Sequence, residues 1–402
     1  LTLIAAPAGF GKTTLAAHTI AEAGIALAWL SLDPDDNQME RFLGHLIAAL
    51  RKADEAIGDQ AGRLLDAPHG LAPQAILTSL LNDLNAVDSA IALVLDDYQV
   101  INSQAVHDLL AFILAHCPTN LHLVIATRAD PPLPISRLRA RGQCVELRAA
   151  DLRFTTREAA QFLNEVMGLN LDAGSIAVLE QRTEGWAAGL QMAALSMRNR
   201  DDLQGFIQGF SGTNRYILDY LLDEVLAGLP TEIRRFLLNT SILRRFSAPL
   251  CDAVLAENAG PVSNSAAVQS HSPDRSRRSS RAVLEYLEQT NLFLVPLDDE
   301  RIWFRYHHLF ADLLRTQLAK ELAADEIVQL QIRAADWHAE HGSVLEAIHH
   351  ASMASDAARV ERFIEQNYMQ MASHGEMARI RSWIGGLNRE LVYQRPRLCI
   401  YE

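Results

Sequence analysis

The chain has 402 residues, 49% of them apolar and 21% charged, and a formal net charge of −13. That is ordinary globular composition with room for two to four domains. No stretch approaches the roughly 18 consecutive apolar residues of a membrane span, and an acidic chain is a poor non-specific ligand for nucleic acid.

The chain opens on an apolar strand, residues 1–5, without a charged-apolar-small leader, and stops abruptly at Arg397-Leu398-Cys399-Ile400-Tyr401-Glu402. It reads as a piece of something larger. Residues 1–150 alternate short apolar runs with helical stretches, the pattern of a parallel α/β sheet. Strands are predicted at 1–5, 27–32, 91–95, 121–127 and 144–147. Each is unalternated, as expected of strands covered on both faces. Residues 39–50 form an amphipathic helix on Phe42, Leu43, Leu46, Ile47 and Leu50, with Asp35, Asp36 and Asn37 as N-cap candidates.

Beyond residue 147 the strands give way to helices. Residues 151–228 form a helical segment with a capped start at Thr155-Thr156-Arg157-Glu158. Residues 229–315 are helical apart from one hairpin. Its strands are 292–297 and 302–305 around the acidic turn Asp298-Asp299-Glu300, which suggests a winged helix. Residues 316–402 read as paired helices of an α-solenoid, with Ala334-Ala335-Asp336-Trp337-His338 and Ala347-Ile348-His349-His350-Ala351 as partners.

Residues 258–281 are rich in Ser, Ala and Arg, including Arg275, Arg277, Arg278 and Arg281. Few large apolar residues argue for a disordered loop, with a basic nucleic-acid patch as the alternative. The four cysteines, Cys117, Cys144, Cys251 and Cys399, form no C-x-x-C pair. They read as free thiols of a reducing, cytoplasmic compartment rather than zinc or redox ligands.

The chemistry is concentrated in three strand ends. Ala6-Pro7-Ala8-Gly9-Phe10-Gly11-Lys12-Thr13-Thr14 follows a strand and opens a helix, the context of a phosphate-binding loop. Its backbone N–H groups and the helix N-terminus suit a nucleoside triphosphate, most readily ATP with Mg²⁺. Gly9 and Gly11 permit close approach and Lys12 neutralises the β and γ phosphates. Thr13 places its hydroxyl on Mg²⁺, and Thr14 supports the α phosphate. Ile91-Ala92-Leu93-Val94-Leu95-Asp96-Asp97 is a buried strand ending in two acids. Asp96 suits the metal through water, and Asp97 either polarises the attacking water or caps a helix. Leu121 to Thr127 ends in Arg128, a γ-phosphate sensor or a surface Arg ahead of Pro131 and Pro132. His307 and His308, being neighbours, point apart and make no metal pair.

Together with these strings, Ala28-Trp29-Leu30-Ser31-Leu32-Asp33, Val94-Leu95-Asp96-Asp97-Tyr98, Ala126-Thr127-Arg128, Thr183-Glu184-Gly185-Trp186-Ala187-Ala188-Gly189-Leu190 and Tyr306-His307-His308-Leu309-Phe310 closely resemble MalT-type regulators. These are the large ATP-binding members of the LuxR group, within the STAND class of P-loop NTPases. The resemblance implies an NTPase domain (1–150), a helical lid (151–228), a winged helix (229–315) and the start of a TPR-like sensor domain (316–402).

It further implies a switch locked by ADP and opened by ATP with an inducer at the sensor domain. Opening drives self-association, and promoters are bound through a C-terminal domain outside this chain. By position, His307 resembles the winged-helix histidine that meets the ADP β phosphate. Residues 185–190 occupy the place where relatives carry a proline against adenine. A motor-like ATPase, or a scaffold that binds nucleotide without turning it over, are the competing readings.

Overall fold

The computed structural model describes residues 1–67, 72–197, 202–256 and 279–373, and three isolated positions beyond, with side chains as far as residue 367. The chain forms two compact units, Leu1–Phe210 with Glu288–Leu292, and Ser211–Leu287 with Phe293–Glu402.

The first unit is built on a five-stranded sheet. Its strands are β1 (Thr2–Ala5), β2 (Ala26–Ser31), β3 (Ile91–Asp96), β4 (Leu121–Thr127) and β5 (Val145–Arg148), in the order β2-β3-β4-β1-β5. Every pairing is parallel. The helices between them are α1 (Lys12–Ala23), α2 (Met39–Ala53), α3 (Asp59–Leu65), α4 (Pro73–Ala86), α5 (Gln104–Ala115) and α6 (Ile135–Ala140). Successive strand residues face opposite sides. Leu3, Leu93, Leu95, Leu123 and Ile125 join the large core with α2 and α4, whereas Ile4, Val94 and Val124 join the smaller one with Ala16 and Ile20 of α1.

The expectation that every strand is covered on both faces holds for β3, which is buried throughout, but not at the sheet edges. Val145 of β5 is 59% exposed, because β5 has a neighbour on one side only.

The N-cap expectation for α2 also changes. Pro34 fixes φ and starts a 3₁₀ turn, Pro34–Asn37, one residue after Asp33. Asp33 caps that turn by accepting from the Asp35 N–H (2.8 Å), and Asp36 accepts from the Asp33 N–H (2.9 Å). Asn37 instead accepts from the N–H groups of Asn102 and Ser103, tying the turn to the loop after β3. α2 begins after Gln38 with no side-chain cap.

The helices that follow the sheet are α7 (Thr156–Ala160), α8 (Ala173–Thr183), α9 (Ala187–Met197) and α10 (Leu203–Gly209). Thr155 and Glu158 form the expected capping box.

The second unit contains α11 (Arg215–Leu221), α12 (Thr231–Thr240), α13 (Ala248–Leu255), α14 (Ser280–Gln289) up to Leu287, and α15 (His308–Glu321), with the hairpin β6 (Leu294–Pro296) and β7 (Phe304–Tyr306). The strands are shorter than expected because Asn291 and Phe293 take positive φ before β6. Asp298 holds the turn by accepting from the N–H groups of Ile302 and Trp303. Phe246 bridges to Phe304 through reciprocal bonds of 2.8 and 2.9 Å, and the buried Tyr306 hydroxyl meets Thr240 at 2.7 Å.

Of the Ser/Arg-rich stretch, 258–278 lies outside the described residues, as does Cys399. Its last two residues are helical, because Ser279 accepts from the Ala282 N–H and Arg281 pairs with Glu285 at the start of α14. Then α16 (Ala324–Glu340), α17 (Val344–Met353) and α18 (Ala357–Ser373) pack in succession around Ala335, Ile348, Val360 and Phe363. Among the described residues no helix is long and apolar enough to cross a membrane.

Candidate phosphate and metal site

Three adjacent strands, β3, β4 and β1, end side by side, and open parallel sheets bind ligands at that edge. β1 leaves the sheet at Ala6, whose N–H still donates to Thr127 of β4 at 3.2 Å. The chain then turns through Gly9 and Gly11 at φ of 77° and 76°, a region closed to most side chains, and enters α1 at Lys12. The first-turn N–H groups of α1 therefore face the loop with the positive end of the helix dipole. Ala8 and Phe10 are buried beneath it, and Thr13 and Thr14 stand exposed on the first turn.

Lys12 is 8% exposed and donates to the Pro7 carbonyl at 3.0 Å. Burial, with Arg128 adding to it, pushes its pKa down to about 8 against the opposing pull of Asp97 and Asp96. Asp96, at the end of β3, is 4% exposed. It accepts from the Thr13 hydroxyl at 3.1 Å and from the Asp97 N–H at 3.1 Å. Burial raises its pKa, and Asp97 adds to the rise against the bond from Thr13.

Asp97 is exposed and adopts φ of 57°. It precedes a short 3₁₀ turn but makes no side-chain cap; its carboxylate accepts from Gln99 Nε2 at 2.8 Å. The capping alternative therefore does not describe it. The other end of the same amide, Gln99 Oε1, accepts from the Arg128 N–H at 2.9 Å. Asn291 donates to the Arg128 carbonyl at 3.0 Å, so the loop after β4 is held from both sides.

The expected residues Lys12, Thr13, Asp96, Asp97 and Arg128 thus share one neighbourhood. His307 belongs to the second unit, where it precedes α15. It is 2% exposed, its N–H donates to the Phe293 carbonyl at 2.9 Å, and its ring meets Phe293 edge-on. Among the described residues no group of three or more His, Cys, Asp or Glu side chains is placed to hold a metal by itself.

Residues 222–326, from the turn before α12 to the start of α16, match the MalT winged helix domain. The whole chain is 34% identical over 404 aligned positions to the HTH-type transcriptional regulator MalT of Yersinia enterocolitica, covering 42% of that protein. It is also 34% identical over 401 residues, 99% of its length, to the serine/threonine-protein kinase PknK of Mycobacterium tuberculosis, covering 34% of it. The Walker-type ATPase PABY2304 of Pyrococcus abyssi superimposes on 78% of this chain and 90% of its own with a TM-score of 0.51 at 15% identity. Along its whole length the chain is thus similar to MalT, and it carries the MalT winged helix domain. It spans less than half the length of either sequence relative.

The sequence reading missed Gln99, and it placed residues 185–190 by resemblance near the adenine without foreseeing their bonds to the loop after β1. Gln99 bridges Asp97 and Arg128, and a Gln two residues after a strand end carries no signal of that. Trp186, in the turn after α8, and Ala188, in the first turn of α9, reach the loop after β1. The Trp186 indole N–H donates to the Ala8 carbonyl and the Ala188 N–H to the Gly9 carbonyl, each at 3.0 Å. A Trp set between Gly185 and Gly189 was the available signal.

Proposed function

We propose that this chain is a nucleotide-operated switch that binds ATP and ADP with Mg²⁺ and hydrolyses ATP slowly as its reset. The observation that carries the reading is the 3.1 Å bond from Thr13 to Asp96, which puts the loop and the β3 carboxylate in one cleft.

The donor set suits magnesium. A hydroxyl and a carboxylate are hard oxygen ligands, and two protein ligands are what Mg²⁺ takes when phosphates and waters supply the rest. Bound there, the metal would neutralise charge on the β and γ phosphates. Lys12 and Asp96 are each held away from their ordinary pKa by burial. A polyanion beside Lys12 and a cation beside Asp96 favour the charged form of both. Asp97 is the proposed base that polarises the attacking water, and Arg128 the proposed γ-phosphate sensor. The Gln99 bridge keeps that base and that sensor in fixed register.

The relatives carry this reading further. The same stretch lies within a protein named as a transcriptional regulator and within one named as a kinase. We therefore read it as an input module that couples nucleotide state to a separate output. Transcriptional control is the leading output: an inducer at the helical region after residue 316 favours the ATP state, ATP drives self-association, and promoter DNA is met by another part of the protein. For a ligand to shift the switch it must bind one state better than the other. Control of a kinase is the second reading, favoured by the PknK match.

Purification of the protein followed by acid extraction and chromatography of bound nucleotide tests the core of this. ADP or ATP at near-equimolar occupancy, with slow turnover of added MgATP, is expected. A protein that neither retains nor binds adenine nucleotide contradicts it.

A further inference from the structure

The Gly185-Trp186 turn has a physical effect on the phosphate loop beyond packing. In a planar trans peptide the C=O and N–H point in opposite directions. The Trp186 indole holds the Ala8 carbonyl, so the N–H of the same peptide, that of Gly9, is turned away from Trp186. The Ala188 N–H holds the Gly9 carbonyl and turns the Phe10 N–H in the same manner. Lys12 Nζ bonds the preceding carbonyl, that of Pro7, from within the loop itself. Two successive peptides, Ala8–Gly9 and Gly9–Phe10, thus have their carbonyls engaged from the α8–α9 region. Successive N–H groups fixed in this manner form an anion-binding concavity.

Trp186 is itself tightly placed. It is 0% exposed, and a Cβ on Gly189 would stand 2.7 Å from its Cε3. Gly185 bonds back to Phe154, whose N–H donates to the Gly185 carbonyl at 2.8 Å. Core filling accounts for the burial of the ring, and phenylalanine would serve for that. It does not account for an N–H aimed at a loop 178 residues away in sequence.

We propose that Trp186 is a positioning residue for phosphate binding: it pre-orients the Gly9 N–H and couples the α8–α9 turn to the phosphate cradle. This rests on the reading of residues 6–13 as a polyphosphate site. By linkage, displacing the turn weakens phosphate binding, and bound phosphate strengthens the docking of the turn by the same factor.

Trp186→Phe keeps the ring and removes the donor. Calorimetric titration of the whole chain with MgADP and with inorganic pyrophosphate is the test. Affinity for both is expected to fall about 5- to 30-fold, the range for one lost preorganising hydrogen bond. Equal loss for the two probes places the effect at the phosphates. A role confined to stability would lower the melting midpoint and leave both affinities intact, which overturns the proposal. Lys12→Ala, run in parallel, separates the failures. If it abolishes binding while Trp186→Phe binds like wild type, the site stands and the positioning role falls. If neither variant weakens binding, both fall. Should Trp186→Phe not fold, Gly189→Ala displaces the ring instead. A weaker MgADP affinity is then expected, and wild-type affinity in that variant overturns the proposal.

Discussion

Asp96 is the residue with the clearest division of labour. A charge-assisted hydrogen bond such as that from Thr13 contributes roughly 1.5–3 kcal/mol. In the proposed reading its larger effect is to hold a carboxylate where Mg²⁺ would sit. Asp96→Asn keeps the shape and removes the charge. Nucleotide is expected to bind the variant with little dependence on Mg²⁺, and ATP turnover to fall about 100-fold or more, in line with the loss of an electrostatic stabiliser. Titration with and without magnesium, alongside a phosphate-release assay, measures both; unchanged Mg²⁺ dependence would contradict the metal role. Asp97 separates differently. If it is the base, Asp97→Asn slows turnover and leaves MgADP affinity within about threefold of wild type, a change under 1 kcal/mol. The strand-end residues that share one neighbourhood were legible because phosphate chemistry calls for few residue types at narrow spacing. Gln99 was not, because an amide bridging two loops is set by the fold of both and not by local pattern.

At the scale of elements, the interior strands were readable nearly to the residue, since a run such as Ile91 to Leu95 buried on both faces leaves little latitude. The edges were not, because strand order decides which strand loses a neighbour, and no local pattern encodes the order β2-β3-β4-β1-β5. The turn into α9 is the element most sensitive to a single methyl group. A Cβ at Gly185, already at φ of 68°, would meet the Phe154 carbonyl oxygen at 2.4 Å. Gly185→Ala is expected to cost about 3 kcal/mol or more. Gly142→Ala, with φ of 65° and open space around it, is expected to cost only the left-handed penalty of about 1–2 kcal/mol. Denaturant melts of the two variants compare them directly, and equal losses would show that the Phe154 contact does not matter.

The pairing of α16 with α17 carries a pH dependence. His338 and His350 stack with ring centroids 5.5 Å apart, and His350 shares a 2.6 Å bond with Gln331. Burial pushes their pKa values from 6.5 down to about 4 and about 3. Arg245 and His341 lower His338 further and Glu346 opposes them; His338, His349 and Arg244 lower His350. The unfolded chain takes up these protons first. Stability is therefore full above pH 6.5 and is lost as pH falls from there toward 4, on the order of 2 kcal/mol for His338 alone. A melting midpoint in the second unit that is flat between pH 7 and pH 4.5 would contradict this. Replacing His338 with Phe is expected to flatten part of the slope.

At the scale of the whole chain, binding must appear as stabilisation by mass action. A nucleotide at 100 times its Kd adds about 2.7 kcal/mol to the unit that holds it. The first unit, which contains the loop, β3 and β4, is expected to melt later with MgADP, by an amount that grows with the logarithm of ligand concentration. All of this depends on a polyphosphate lying against the loop that ends in Lys12. The most direct measurement is calorimetric titration of MgADP into the wild-type chain and into Lys12→Ala. Saturable, one-to-one binding that disappears in the variant is expected, and equal affinity in the two proteins would show that the phosphates bind elsewhere.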